Sequence, residues 1–357
     1  MARKKRVLVG MSGGVDSSVA AALLQKRGYE VIGITMQMLP KDKQDLSACC
    51  NLNAVNDAKK VAGKLKIPHY TLNIRDTFQH KVIDHFVNSY LEGYTPNPCV
   101  ECNRHIKFDE LYQKAKELEA DFVATGHYVK RTYSAQKKQF LLKKAKDTTK
   151  DQSYFLYMID SHKLDYILFP LGGFLKPEIR RMAEDFGLIN AQKPDSQEIC
   201  FVTGRSYRDF IDEQLQGKQV KSGEIIDTSG KILGFHQGIH TVTIGQRKGL
   251  GISSPEPLYV YKIDAIHNRV MVGKKGELNS SDLKIRQTVL VNPSENLVGR
   301  KFHMKSRYNM TPFQAIVTAQ EGEFVSIHMP VAQEFITPGQ SGVLYDKDRV
   351  VGGGIIF

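Results

Sequence analysis

The sequence predicts an α/β fold: a doubly wound parallel sheet at the amino end, followed by smaller β modules. Three observations predict it. Strand-like runs alternate with helically spaced segments over the first 130 residues. A loop of Gly and Ser follows the first strand directly and opens a helix. From about Ser222 the chain turns to Gly and β-branched residues, with turns such as Thr228-Ser229-Gly230 and His267-Asn268, and helical periodicity stops.

The elements follow in order. Val7 to Met11 reads as the first strand, Ser17 to Arg27 as a helix and Val31 to Met36 as a second strand. Helical spacing from Ala54 to Leu65 leads to a strand at His69 to Ile74, and another helix runs from Thr77 towards Leu91. Phe122 to Thr125 is a further strand, and a helix over Lys176 to Phe186 with the segment Gln197 to Val202 completes the unit. A short helix at Tyr207 to Leu215 lies in a connector, and the two β modules divide near Gly276. Ligands of such a sheet bind at the carboxyl ends of its strands.

A chain of 357 residues, 41% hydrophobic, can bury two or three cores. Its net charge of +12 points to a polyanionic partner. Lys130, Arg131, Lys137, Lys138, Lys143, Lys144, Lys146 and Lys150 crowd one segment against a single acid, Asp147. That run is either a solvated basic hairpin or a rim that meets nucleic-acid phosphates. Residues 281–357 are nearly neutral, so an RNA-binding module there would work by shape and a few placed side chains. No apolar run is long enough for a membrane span or a signal sequence, which gives the expectation of a cytoplasmic protein without a membrane partner. Five cysteines do not suit a disulfide-stapled secreted fold.

After the first strand comes Ser12-Gly13-Gly14-Val15-Asp16-Ser17-Ser18. Two glycines let the backbone approach a ligand, and amides at a helix start bind phosphate, helped by the Ser hydroxyls. Asp16 is suited to magnesium or a bridging water. No Gly-Lys-Ser/Thr follows, so this is not the Walker loop, and the spacing is not that of a dinucleotide fingerprint. The loop resembles the SGGxDS signature of the pyrophosphatase-loop ATP enzymes. That resemblance implies cleavage of ATP between its α and β phosphates, with an acceptor oxygen adenylated.

Cys99-Val100-Glu101-Cys102 lies in a proline-bracketed loop after Thr95-Pro96-Asn97-Pro98, ahead of a helix expected to begin near Ile106. Helix amides and the cations Arg104, His105 and Lys107 are expected to favour thiolate there. Cys200 closes Asp195-Ser196-Gln197-Glu198-Ile199-Cys200, and Cys49 and Cys50 stand side by side. Inert thiols, a zinc site, an iron–sulfur cluster on Cys99, Cys102 and Cys200, and redox exchange are all open readings. Sulfur transfer is the one that uses both the ATP loop and the thiols.

Six segments in order carry a resemblance to the tRNA-specific 2-thiouridylase family over essentially the whole chain. They are Gly10 to Ser17, Asn97-Pro98 with Cys102, Gly126-His127, Lys150 to Phe155, Asp195 to Cys200, and Pro338-Gly339-Gln340. The resemblance implies an adenine-nucleotide-hydrolase-like catalytic domain over 1–205, a small central domain over 206–276 and a β-barrel over 277–357. It implies that Gly10, Met11, Ser12, Gly13, Gly14, Val15, Asp16, Ser17, Met36 and Gly126 bind ATP with magnesium. Asn97, Pro98 and Cys99 would meet the target base, and His127, Lys150, Asp151, Gln152, Arg307, Tyr308 and Gln340 would contact tRNA. Cys102 would be the nucleophile and Cys200 the persulfide carrier, with no metal ligand assigned. The implied partners are tRNA of the Lys, Glu and Gln isoacceptors and a sulfur donor such as a cysteine desulfurase or a relay protein.

One position departs from the family pattern, since many members carry Asp where this chain has Cys99, which puts an acid or base role there in doubt. The implied reaction adenylates the C2 oxygen of the wobble uridine and replaces it with sulfur. Either the persulfide attacks C2 directly, or Cys102 releases hydrosulfide and a Cys102–Cys200 disulfide remains. Another RNA modifier of the same ATP class and a non-catalytic RNA-binding protein are the competing readings.

Overall fold

The structure, a computed structural model, describes residues 3–39, 52–195, 199–202, 204–217, 220–277 and 279–357. Cys49, Cys50 and the Ser196-Gln197-Glu198 part of the Cys200 motif lie outside the described residues.

The amino-terminal unit runs β1 (Arg6–Gly10), α1 (Val15–Lys26), β2 (Glu30–Gln37), α2 (Leu52–Leu65) and β3 (His69–Asn73). A helical run follows, α3 (Arg75–Phe78), a π-helical turn over Gln79–Ile83 and α4 (Asp84–Leu91). The next run is α5 (Pro98–Glu101), a π-helical stretch over Cys102–Glu110 and α6 (Leu111–Glu117). Then come β4 (Phe122–Ala124), the hairpin β5 (Val129–Ser134) and β6 (Gln139–Lys144), α7 (Ser161–Leu164), β7 (Ile167–Leu168), α8 (Lys176–Asp185) and α9 (Tyr207–Gln214). β3, β2, β1, β4 and β7 form one sheet in that order, with every pairing parallel.

The chain winds outward from β1 to β3 and then returns to the other side of β1 as β4. This strand reversal opens a crevice at the carboxyl ends of β1 and β4, where the phosphate loop and Gly126 emerge. Central β1 is covered on both faces: Val7, Leu8 and Val9 are fully buried. The pleat sends Leu8 into one core cluster and Val7 and Val9 into the other. The Leu8 cluster continues through Cys102, Ile106 and Phe108 to Tyr345 and Val350, so one apolar core joins the first sheet to the last β unit.

The central unit is a four-stranded sheet built from β8 (Gly223–Ile226), β9 (Ile232–His236), β10 (Leu258–Asp264) and β11 (Arg269–Lys274), ordered β10-β11-β8-β9. The last unit comprises β12 (Asn279–Leu290), β13 (Lys301–Lys305), β14 (Phe313–Glu321), β15 (Phe324–Glu334), β16 (Ser341–Asp346) and β17 (Arg349–Ile356). The order β12-β15-β14-β13-β16-β17 closes through β12–β17 pairing, which makes a barrel without free edges among those six strands.

The hairpin β5–β6 is joined to β17 of the barrel rather than standing in solvent. Four cations of this segment meet groups of the protein: Lys143 with Asp348 at 3.3 Å, Lys146 with Glu178 at 3.2 Å, Lys137 with Glu295 at 3.5 Å, and Lys144 over the Tyr345 ring at 4.3 Å. The helix expected near Ile106 also begins earlier, at Pro98, because Pro fits the first helical position and the Asn97 side chain accepts the Cys99 amide at 3.2 Å.

Candidate active site

The phosphate loop bridges β1 and α1. Gly14 caps α1 in extended backbone with no side chain on the first amides, leaving them available to an anion. Gly13 has φ +69°, and a Cβ there would sit 2.3 Å from the Ala54 carbonyl oxygen. A Cβ on Gly126 would meet the Ser17 amide nitrogen at 2.7 Å, so only glycine lets the β4 loop pack on the start of α1. The Ser17 hydroxyl accepts from the Ser12 amide at 3.1 Å and the Ser18 hydroxyl donates to the Gly14 carbonyl at 2.8 Å, which fixes the loop's shape. Thr35 donates to the Met11 carbonyl at 2.7 Å. Gly10 to Ser17, Met36 and Gly126, the residues expected at ATP, all lie at the carboxyl ends of β1, β2 and β4.

A charge network unforeseen in the sequence ties this loop to the Cys200 segment. The Lys176 ammonium donates to both Asp16 oxygens at 2.7 and 2.8 Å and pairs with Asp195 at 2.7 Å. Asp195 also receives Lys150 at 2.8 Å and Arg180 at 3.3 Å. Tyr128 donates its hydroxyl to Asp16 at 2.7 Å. Burial opposes ionisation of Asp195, but the Lys150 and Lys176 bonds and charges prevail and hold its carboxyl below the usual range. Asn190 and Lys193 reach the Gly13 carbonyl at 3.1 and 3.3 Å and brace the loop from the other side. One signal for Lys176 was available: it is the first residue of α8, where the helix dipole disfavours a cation unless an acid faces it.

The cysteine loop lies between the first sheet and the barrel. Cys99 is exposed in the first turn of α5, Cys102 is buried at the start of the π-helical stretch, and Cys200 packs against the core cluster that contains Cys102. π-Helical turns concentrate at functional sites. His105 is not a bystander cation for the thiols, since it lies 3.4 Å from Glu101 and 3.6 Å from Asp109. Asp109 and then Glu101 push the imidazole up to about 9 against the effect of burial. The barrel clamps the loop from above: the Thr95 amide donates to the Pro338 carbonyl at 2.9 Å, and the Gln340 side chain donates to the Thr95 carbonyl at 2.9 Å.

The residues expected at tRNA have internal partners. His127 is buried against Thr125 at 2.8 Å, and burial drives its pKa well down, so the ring is neutral. The Gln152 side chain accepts from the Tyr128 amide at 2.9 Å, and Asp151 accepts from the Ala145 amide at 2.8 Å. These two residues tie the hairpin to the first unit. Arg307 donates to the Phe335 carbonyl and to Thr337, while the Tyr308 ring lies 4.5 Å from that of Phe155. Among the described residues no group of three or more His, Cys, Asp or Glu side chains is placed to hold a metal ion. The donor set formed by Cys99, Cys102 and Cys200 therefore does not fit an iron–sulfur cluster, and that reading is set aside. No helix among the described residues is long and apolar enough to cross a membrane.

Fold and site together define a nucleotide-type α/β domain carrying three described free cysteines and extended by two β units. Residues 5–204 match the family described as tRNA methyl transferase HUP domain, 208–274 its PRC-barrel domain, and 280–356 the aminomethyltransferase beta-barrel domain. The chain belongs to the tRNA-specific 2-thiouridylase family: it is 48% identical over 360 residues to a member from Caldanaerobacter subterraneus subsp. tengcongensis, covering 100% of this chain and 99% of that protein. It is 46% identical to the member from Acetivibrio thermocellus, covering 99% of each. A solved 4-thiouridine synthetase in complex with RNA and bound ATP is 19% identical with a TM-score of 0.38, over 59% of this chain and 50% of that one.

Proposed function

We propose that the protein is a sulfurtransferase that uses ATP to convert the wobble uridine of tRNA to 2-thiouridine, on a catalytic unit spanning 1–205, a central unit spanning 206–276 and a barrel spanning 277–357. The observation that carries this reading is the Asp16–Lys176–Asp195 bridge, which connects an anion-binding loop to the segment leading to Cys200. An ATP triphosphate lies along Gly10 to Ser17, with Met36 and Gly126 flanking the nucleotide. The uracil C2 oxygen attacks the α phosphorus, the α–β bridging bond breaks and pyrophosphate leaves. Magnesium arriving with the nucleotide would be held by Asp16 and would offset phosphate charge.

The adenylated oxygen makes C2 electrophilic and AMP a good leaving group. Cys200 accepts sulfur as a persulfide from a donor, which we assign to a cysteine desulfurase or a relay protein. Cys102 attacks Sγ of Cys200 and breaks the persulfide S–S bond, either first, releasing hydrosulfide that attacks C2, or after the terminal sulfur has bonded to C2, releasing 2-thiouridine; in both routes AMP departs from C2. The two electrons that the thiols give up reduce the transferred sulfur, and two external thiols, oxidised to their own disulfide, restore Cys102 and Cys200. Asn97, Pro98 and Cys99 meet the target base, whose flanking loop the barrel holds through Gln340. His127, Lys150, Asp151, Gln152, Arg307 and Tyr308 shape the RNA-facing surface by exchanging or rigidifying their internal contacts. The expected substrates are the Lys, Glu and Gln isoacceptors, in the cytoplasm. Incubating the protein with tRNA, ATP, magnesium and a persulfide, then digesting the RNA, is expected to yield 2-thiouridine by mass. Its absence, or full activity of Cys200→Ser, refutes the reading.

A further inference from the structure

A second recess lies beside the cysteine loop. It is a cavity of about 290 Å³ between α4 and the barrel strand β12, near the lower bound of about 300 Å³ for small-molecule sites. Its α4 wall is polar: His85, Asn88, Ser89 and Glu92 recur at helical spacing on one face, where an interface made only for stability would place apolar residues. Its opposite wall is a β-bulge. The register of β12 with β17 shifts between Arg286 and Val289, and Gln287 is held at φ +52°, a conformation that costs a non-glycine residue energy.

The bulge turns Arg286 towards the catalytic unit. Its guanidinium lies 5.2 Å from the Tyr94 ring centre, and its Nε is buried without a hydrogen-bond partner among the described residues. A stacked cation beside a tyrosine, ringed by amide, hydroxyl and carboxylate groups, suits a flat heterocycle with donors and acceptors on its edge. Pro96 and Gly339 complete the rim. Pro96 directly precedes Asn97, so the recess opens one residue from the loop proposed to meet the target uracil.

We propose that this recess binds one unpaired nucleotide of the RNA substrate adjoining the target uridine. Tyr94 and the Arg286 guanidinium stack against its base, and Asn88, Ser89 and Gln287 meet the base edge. The inference rests on the reading of the protein as a tRNA thiolase. It supplies what that reaction needs, because flipping one base out of a loop leaves its neighbour unstacked, and a pocket that captures the neighbour keeps the target displaced. Residues 94–96 would then act as positioning residues, distinct from the groups that touch the reacting atoms.

The test uses the full chain and tRNA transcripts carrying 5-iodouridine on either side of the target. Wild-type protein is expected to photocrosslink through Tyr94 from one of the two positions. Arg286→Ala should raise Kd for tRNA by about 5- to 150-fold, the range of one base stack. Asn88→Ala, on the exposed face of α4, is the milder variant should Arg286→Ala fold poorly, and a several-fold rise in Kd is expected. Binding within twofold of wild type in both variants overturns the inference, as does a raised Kd with no crosslink at Tyr94 from either position. If wild-type protein forms no 2-thiouridine, the functional reading itself fails. If it thiolates while both variants bind normally, only the nucleotide pocket fails.

Discussion

Replacing Lys176 by Met removes the one ammonium shared by Asp16 and Asp195 while keeping the length and apolar stem of the side chain. Lys176 is only 7% exposed and touches both carboxylates within 2.8 Å. Breaking a fully buried ion pair costs about 3–5 kcal/mol. The cost here is reduced because Asp195 keeps Lys150 and Arg180, Asp16 keeps Tyr128, and both acids retain some solvent. The remaining penalty is about 2–3 kcal/mol, which for a domain of this size lowers Tm by about 5–10 °C. The effect also has a pH signature. The folded Asp195 pKa lies below its ordinary value, so its contribution to stability is present above about pH 4 and is lost as pH falls through the folded value. Lys176→Met should therefore narrow its stability gap to wild type as the pH is lowered below about 4. Urea unfolding at pH 7 and at pH 3.5, with AMP release measured on the same preparations, checks this. AMP release should fall by at least tenfold, since the Asp16 carboxylate loses the ammonium that fixes its position at the phosphate loop. A variant within 0.5 kcal/mol of wild type that adenylates normally would refute the bridge as a working part.

Four further outcomes are expected. Gly126→Ala should abolish AMP release through the clash with the Ser17 backbone, and normal turnover would remove the close packing from the account. His105 titrates at about 9, above its unfolded value near 6.5, so its stabilisation is complete below about pH 6.5 and disappears as pH rises through 9. His105→Gln should flatten that slope in urea melts, and an unchanged slope counts against the Glu101–His105–Asp109 ladder. Neutralising Lys143 and Lys146 together should lower unfolding stability and loosen the hairpin in hydrogen exchange, because the two lysines pair with Asp348 and Glu178; a loss of tRNA affinity at unchanged stability would favour the phosphate-rim reading instead. Cys102→Ser should still load a persulfide on Cys200 while transfer falls at least a hundredfold, with Cys99→Ser alongside to test substitution by the neighbouring thiol. Extra sulfur found on Cys102 by mass spectrometry would reverse the two roles.

Much of the fold was legible because it rests on local pattern. Leu8 alternating with Val7 and Val9, and two glycines after them, specify a buried strand and its loop without reference to any distant residue. The long-range charges were not legible. Lys176 and Asp16 stand 160 residues apart, and nothing local in KPEIRRMAED says which carboxylate its first residue will meet. The hairpin was legible only as a count: eight cations in a short segment do not say that Lys143, Lys137 and Lys146 will meet Asp348, Glu295 and Glu178. Charge counted along a chain measures what must be neutralised, and only the fold decides whether protein or RNA does it.

The barrel touches the cysteine loop directly, at Thr95. The cysteine loop is short, proline-bracketed and anchored at one end by α4, so its free end needs a partner to hold one conformation. That partner is Pro338-Gly339-Gln340: Gly339 has φ +92°, and a Cβ there would lie 2.7 Å from the Thr95 amide nitrogen. Backbone can approach backbone at that point only through glycine, and the approach places the Gln340 amide on the Thr95 carbonyl. A shift of the barrel would therefore pull on the segment that begins at Thr95 and reaches Cys102 seven residues later. Gly339→Ala should separate these two functions, leaving nucleotide binding intact because the phosphate loop is untouched, while RNA-dependent AMP release falls. Equal loss of both would place the barrel's influence in overall stability rather than in the clamp.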